Sequence, residues 1–233
     1  MDKRLLTDYA KRLGIALDSG TTERIIAFGE ALLIKNEAIN LTSVRDKKEF
    51  LIKHLCDSLT VASLPELDGE TADVGTGGGF PGVVIKILCP KLSVTLIDST
   101  QKKLLAVKDI CEGLNLSVKF VHRRAEQEGR GEHRDFFETV TARSLAAMPR
   151  LLEYCLPLVR EGGFFLAMKG PGVHDEIEAA RSAERILCGR LIRTVDFELP
   201  GGAKRTIAVY QKTAPTPENY PRPTGQIVKK PVL

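Results

Sequence analysis

The chain has no tryptophan, only four tyrosines and three methionines among 233 residues. A broad aromatic surface for stacking planar groups is therefore poorly supported. The five cysteines, Cys56, Cys89, Cys111, Cys155 and Cys188, are scattered and form no CxxC pair. That pattern fits buried, reduced thiols and argues against a disulfide or zinc framework. The four histidines, His54, His122, His133 and His174, lack metal-ligand spacing, so no metal is expected. No apolar run approaches the roughly 20 residues of a membrane span. The start, Met1-Asp2-Lys3-Arg4, leads into an amphipathic segment with acids, which is not a signal peptide. These absences lead us to expect a cytoplasmic protein with no membrane partner.

What is present is ordinary in bulk: 43% apolar, 27% charged and a net charge of +4. The excess is unevenly placed. Up to Glu70 there are ten Lys/Arg against twelve Asp/Glu. From Gly201 onward there are six basic residues, Lys204, Arg205, Lys212, Arg222, Lys229 and Lys230, and a single acid, Glu218. The plain reading of such a run is a solvated basic tail.

Apolar residues recur at helical spacing through the first 65 positions: Leu5, Leu6, Tyr9 and Leu13, then Ile25, Ile26, Phe28, Leu32 and Leu33, then Phe50, Leu51, Leu55 and Leu59. Leu64-Pro65-Glu66-Leu67-Asp68-Gly69 marks a boundary. Strands are then predicted at 71–75, 93–98, 117–122, 136–143 and 163–169, with helices between them, one of them over 145–158. A helix follows from His174 to about Leu187. A hairpin at Pro200-Gly201-Gly202 joins 191–199 to 205–211. The order implies an α/β fold, mostly a parallel sheet covered by helices, closed by an antiparallel hairpin. The expected divisions are a helical N-terminal extension (1–66), an α/β domain (67–213) and a basic, proline-rich C-terminal tail (214–233) without regular structure.

The stretch that organises the α/β part is Thr71-Ala72-Asp73-Val74-Gly75-Thr76-Gly77-Gly78-Gly79-Phe80-Pro81-Gly82. It reads as strand, glycine-dense loop and helix start, a cradle for a nucleotide or anion. Two registers compete. Gly77 to Gly82 spells GxGxxG, a weak dinucleotide fingerprint when it stands alone. The other is Asp73-x-Gly75-x-Gly77-x-Gly79. It resembles motif I of S-adenosylmethionine-dependent methyltransferases, in which the acid lies near the ammonium group of the ligand. Asp98 ends the second strand and could accept from two ribose hydroxyls in either case, or cap the next helix. Arg124-Ala125-Glu126 after the third strand, and the lack of a remaining hydride-transfer domain, favour the methyl donor over NAD.

With these residues assembled, the chain resembles the small-subunit ribosomal RNA methyltransferase G family, also called glucose-inhibited division protein B. The resemblance runs through Asn40-Leu41-Thr42, His54-x-x-Asp57-Ser58-Leu59, Asp73 to Gly82, Leu96-Ile97-Asp98-Ser99, Arg124-Ala125-Glu126, Ala142-Arg143, Lys169-Gly170, Arg205 and Tyr220-Pro221-Arg222. It departs mildly at Lys103, Leu104-Leu105 and Ser144, outside the expected donor contacts. The resemblance implies a Rossmann-like class I methyltransferase that uses S-adenosylmethionine to methylate N7 of one guanine in 16S rRNA, free or within the 30S particle. It further implies donor contacts from Gly75, Gly77, Phe80, Asp98, Ala125, Glu126 and Arg143. Three of these have plain alternatives: Asp98 as a helix cap, Phe80 as a core aromatic and Arg143 as half of a salt bridge.

Guanine N7 is a lone-pair acceptor without a proton, so attack on the methyl group needs no general base, and no catalytic residue in that sense is expected. The sequence has no Asn-Pro-Pro-Tyr set and no cysteine placed as a carbon-5 nucleophile. RNA contacts are expected from Lys169, Arg205 and Arg222, with Lys229 and Lys230 on the tail. His54 and Asp57 lie three apart on one helix, as a cleft-shaping or simply hydrogen-bonded pair. A small-molecule methyltransferase and a non-catalytic ribosome-binding protein on the same fold are the alternatives. A monomer is expected.

Overall fold

The structure, a computed structural model, describes residues 1–232. Helices α1 (Lys3–Arg12), α2 (Ser19–Asn36) and α3 (Lys47–Phe50) lead into a π-helical turn, Leu51–Cys56, and then α4 (Asp57–Ala62). The alternating part follows: β1 (Glu70–Val74), α5 (Gly82–Leu88), β2 (Ser93–Asp98), α6 (Gln101–Gly113), β3 (Lys119–His122), α7 (Ala125–Glu128), β4 (Phe137–Arg143), α8 (Met148–Cys155) and β5 (Val159–Lys169). The end comprises α9 (Val173–Ala179), α10 (Arg181–Ile186), β6 (Gly189–Glu198), β7 (Lys204–Lys212) and α11 (Thr224–Lys229).

The seven strands form one sheet in the order β3-β2-β1-β4-β5-β7-β6. β1 pairs in parallel with both β2 and β4, and β7 runs antiparallel to both β5 and β6. The order reverses between β1 and β4, and ligands of open α/β sheets bind outside the carboxyl ends of the strands at such a point. Side chains of β5 and β7 divide with period two between the faces. Leu166, Met168, Ile207 and Val209 join one apolar core, while Phe165, Ala167, Ala208 and Tyr210 join the other. The first core also contains Leu6, Phe28, Leu32 and Phe50 beside Val83 and Val107. The N-terminal helices therefore share a core with α5 and α6. The second core is capped by α8, α9 and α10.

Three expectations are corrected. The segment expected to be helical from 145 enters its helix only at Met148, with Pro149 in the first turn, where a missing N–H is tolerated. The helix expected over 174–187 is two, broken at Ala180. The proline-rich tail, over its described residues 214–232, is held in place and carries α11, with Ile227 fully buried. Long-range hydrogen bonds hold it. Arg134 donates to the carbonyls of Thr216 (2.5 Å) and Tyr220 (2.8 Å), and Arg130 to that of Pro221.

The charge of that segment is likewise not all solvated. Lys212 is wholly buried, its Nζ donating to Asp135 Oδ1, the Leu156 carbonyl and Thr216 Oγ1, each at 2.7 Å. Burial pulls its pKa below that of an ordinary lysine, and the Asp135 contact opposes this. Arg222 is clamped on Glu153.

Candidate active site

The loop after β1 takes positive φ at Gly75 (69°), Gly77 (56°) and Gly79 (86°). These are the alternating glycines of the second register, and the left-handed region is one that side chains with a Cβ rarely occupy. The loop is tied down on both sides. Gly75 N–H donates to the Ile97 carbonyl (2.8 Å), and Gly77 N–H to Asp98 Oδ2 (2.9 Å). Asp73 Oδ2 accepts from Thr76 Oγ1 (2.6 Å) and from Gly82 N–H (2.9 Å). Gly82 admits this contact because it lacks a Cβ, which would lie 2.9 Å from Asp73 Cβ and 2.3 Å from Leu96 Cδ2. Asp73 is wholly buried, and burial raises its pKa to about 6 against the opposing pull of these donors. Its carboxyl staples the two ends of the loop from behind. Asp73 itself borders neither of the cavities described next.

Two cavities meet at Gly75 and Gly77. The smaller, about 310 Å³, is bordered by Asp98, Ala125, Glu126, Leu145 and Tyr154. The larger, about 540 Å³, is bordered by Thr42, His54, Asp57, Phe80, Arg143, Lys169 and Arg205. Nine of the twelve residues expected to touch donor or RNA thus fall on one or the other. Arg222, Lys229 and Lys230 do not, and Arg222 is committed elsewhere. Its Nε and Nη2 donate to the two oxygens of the fully buried Glu153, at 2.8 and 2.6 Å, and it borders a separate surface cavity with Lys229 and Lys230.

The larger cavity is organised by Asp57, which is 3% exposed. Arg143, at the carboxyl end of β4, donates from Nη1 to Asp57 Oδ2 (2.9 Å) and to the Lys53 carbonyl (2.9 Å). Arg205, on β7, donates from Nε to Asp57 Oδ1 (3.1 Å). One buried carboxylate thus aligns two guanidinium groups. Arg143 Nη2 also donates to His54 Nδ1 (2.9 Å). Arginine only donates, so Nδ1 is the acceptor and Nε2–H faces Thr42 Oγ1 at 2.7 Å. Burial, with Arg143 and Lys53 adding to it, lowers the His54 pKa to about 3 and keeps the ring neutral. His54 and Asp57 do not bond each other. His54 in the π-turn and Asp57 at the start of α4 both face Arg143, and such turns recur at functional sites.

Phe80 is a core aromatic that also borders the larger cavity. Its ring packs among Phe28 and Phe50, stacks on His54 at 4.9 Å and lies under the Arg143 guanidinium at 5.4 Å, and it still borders the cavity. Lys169 Nζ is held by Glu176 (2.5 Å) and the Ala146 carbonyl (3.0 Å). Asp98 Oδ1 accepts from Thr100 N–H (2.8 Å), so the carboxylate fixes both the glycine loop and the turn into α6. The helix-capping alternative is thus met in part, through an Asx-type turn.

Residues not anticipated are Leu145 and Tyr154, on the wall of the smaller cavity, and Thr224 of the tail, whose hydroxyl donates to Glu126 Oε1. No local pattern signals them. Asn36, which orients Thr42 by accepting from Leu41 N–H (2.8 Å) and Thr42 N–H (2.9 Å), was foreshadowed only by the break at Asn40-Leu41-Thr42.

The fold is similar to that of an S-adenosylmethionine-dependent O-methyltransferase from Thermotoga maritima (TM-score 0.54, 12% identity, 80% of this chain and 73% of that one). It is also similar to a ribosomal protein L11 methylase from Lactobacillus delbrueckii subsp. bulgaricus (TM-score 0.53, 18% identity, 69% and 79%). In sequence, the chain is 37% identical to a ribosomal RNA small subunit methyltransferase G from Alkaliphilus metalliredigens, over 99% of this chain and 98% of that one. It is 42% identical to the protein of the same name from Roseiflexus castenholzii, over 98% and 99%. The model of the family described as rRNA small subunit methyltransferase G matches residues 21–200. The chain belongs to the rRNA small subunit methyltransferase G family.

Proposed function

We propose that this chain transfers the methyl group of S-adenosylmethionine to N7 of one guanine in small-subunit (16S) ribosomal RNA. The observation that carries the reading is the junction of two chemically different cavities at Gly75 and Gly77. The smaller suits the adenosine half of the donor. Asp98 keeps lone pairs for ribose hydroxyls, and Ala125-Glu126 offer a backbone amide and a carboxylate at the far end. A Cβ at Gly77 would meet only the Gly75 carbonyl, at 3.9 Å, and would otherwise project into the space shared by the cavities. The residues present therefore fit the donor, which supplies an electrophilic methyl on a sulfonium. In the larger cavity the guanidinium group of Arg205 suits the O6 or phosphate oxygens of a guanine nucleotide, while Arg143, held on the same Asp57, stands toward the donor as expected from the resemblance.

The chain then has only to position. N7 carries no proton to remove, and in-line placement of nucleophile and methyl supplies the acceleration. His54 and Asp57 support this division of labour, because their acceptor atoms are committed to arginines and they act as scaffold. The helical 1–66 segment gives His54 and Asp57 to one cavity and the 214–233 segment gives Thr224 to the rim of the other. One chain supplies both cavities, in keeping with a monomer working beside ribosomal RNA in the cytoplasm.

The test is transfer of tritiated methyl from S-adenosylmethionine with three additions: purified small subunits, naked 16S rRNA and no RNA. Label in RNA, recovered as 7-methylguanosine, supports the proposal. Label without RNA would favour a small-molecule substrate. Donor binding without any transfer would favour a non-catalytic ribosome-binding role.

A further inference from the structure

The C-terminal segment reaches the rim of the smaller cavity from outside the α/β frame. Glu126, the second residue of the four-residue α7, is 6% exposed and borders that cavity. Its own helix is too short to orient the side chain. The hydrogen bond to its carboxylate, among the described residues, comes from Thr224 Oγ1, 98 positions later. Taking the donor assignment above as the starting point, we propose that Thr224 is a positioning residue of the donor site: its hydroxyl fixes the Glu126 carboxylate, and the C-terminal segment is thereby a working part of donor binding.

Six residues of helix have little stability of their own, so α11 must be held from outside. The Arg222 backbone N–H and Nε both donate to Glu153 Oε1 at 2.8 Å, and Nη2 to Oε2 at 2.6 Å. That carboxylate is fully buried, so the three bonds are made in a setting where losing a partner is severe. Arg134 grips the carbonyls of Thr216 and Tyr220 upstream, and Ile227 is sunk downstream. Thr224 sits two residues after the clamp, on a segment fixed at both ends. The neighbour of Glu153 on α8, Tyr154, is itself a wall of the smaller cavity. One helix therefore carries both the anchor of the tail and a wall of the site, so a displaced tail is felt at the donor.

The experiment is calorimetric titration of S-adenosylmethionine into the full-length chain and its variants, beside Tm and binding of 16S rRNA. Loss of one hydrogen bond to a charged group predicts roughly a tenfold weaker Kd for Thr224→Val, which keeps shape and removes the hydroxyl. Thr224→Ser keeps the hydroxyl and should restore binding to within about threefold. Tm and RNA affinity should stay near wild type for both, and in steady state the donor KM should rise while kcat holds. A cycle with Glu126→Gln should be non-additive, because both changes remove the same contact. The proposal is overturned if Thr224→Val binds donor as wild type does, if Thr224→Ser fails equally, or if Tm and RNA affinity fall in step with donor affinity. Absence of donor binding by the wild-type chain would instead overturn the donor assignment on which the proposal rests.

Discussion

Gly75→Asp tests the junction of the cavities directly. At this position φ is +69°, a region that aspartate tolerates better than most residues because its short side chain can bond locally. The strain is then about 1 kcal/mol. The new Cβ would lie 2.7 Å from Leu145 Cδ1, but Leu145 is 38% exposed and its tip can rotate away, adding about another 1 kcal/mol. A total near 2 kcal/mol corresponds to a Tm loss of about 4–8 °C for a chain of this length, so the variant should still fold. Donor binding should behave quite differently. The carboxyl group would stand in the space both cavities share, and affinity for S-adenosylmethionine should fall by more than about 100-fold, equivalent to roughly 3 kcal/mol. Titration calorimetry and thermal unfolding on the same preparation separate the two effects. An unchanged Kd in a folded variant would refute the placement of the donor across Gly75.

Asp57→Asn keeps the shape and removes the charge that aligns Arg143 and Arg205. Unpairing such a buried cluster costs about 3 kcal/mol, so single-turnover transfer should slow about 100-fold while donor Kd changes less than about threefold. Equal losses in both would assign Asp57 to the donor instead. Lys229→Ala with Lys230→Ala should weaken rRNA binding more at low salt than at high, as counterion release requires. A loss that ignores salt would point to disturbed packing. For pH, the His54 pKa is about 3 when folded and near 6.5 when unfolded, so the unfolded chain binds the proton first on acidification. The contribution of His54 is complete above pH 6.5 and is lost as pH falls from 6.5 towards 3. Asp73 works against it, because its folded pKa of about 6 favours the native state at low pH and that advantage fades as pH rises from about 4 to 6. Denaturant unfolding of His54→Asn should therefore show a shallower fall between pH 6.5 and 4 than wild type; the same slope would place His54 in a more solvated setting.

The parts of the site legible in sequence were those set by local rules. Alternate glycines needing positive φ and an acid ending β2 follow from short-range backbone demands, whereas the Ala125-Glu126 pair after β3 was legible only through the family resemblance. Arg143 was legible because strand alternation fixes where β4 ends. The tail was misread because prolines suppress the helical period, while its order comes from pairs such as Arg222 with Glu153, 69 residues apart. Lys212 was counted with the solvated charge because its composition reads as tail, whereas its partners at Asp135 and Leu156 are brought to it only by the completed sheet. The His54 and Asp57 pairing was half legible: their spacing put them on one face, and the π-turn with two arginines from distant strands decided which way each turned.

The place of β7 has a consequence for how the chain is made. Among the described residues it is the seventh and last strand in sequence, yet it lies between β5 and β6 rather than outside them. Until it leaves the ribosomal exit, β5 presents an unpaired row of amides and carbonyls, and β6 has no neighbour to join. Arg205 arrives on that same strand and Thr224 still later. A nascent chain therefore carries its glycine loop early but lacks the Arg205 wall of the larger cavity until β7 has emerged. A product truncated before Lys212 is left with an open sheet, marked for aggregation or proteolysis instead of surviving as a partly active enzyme.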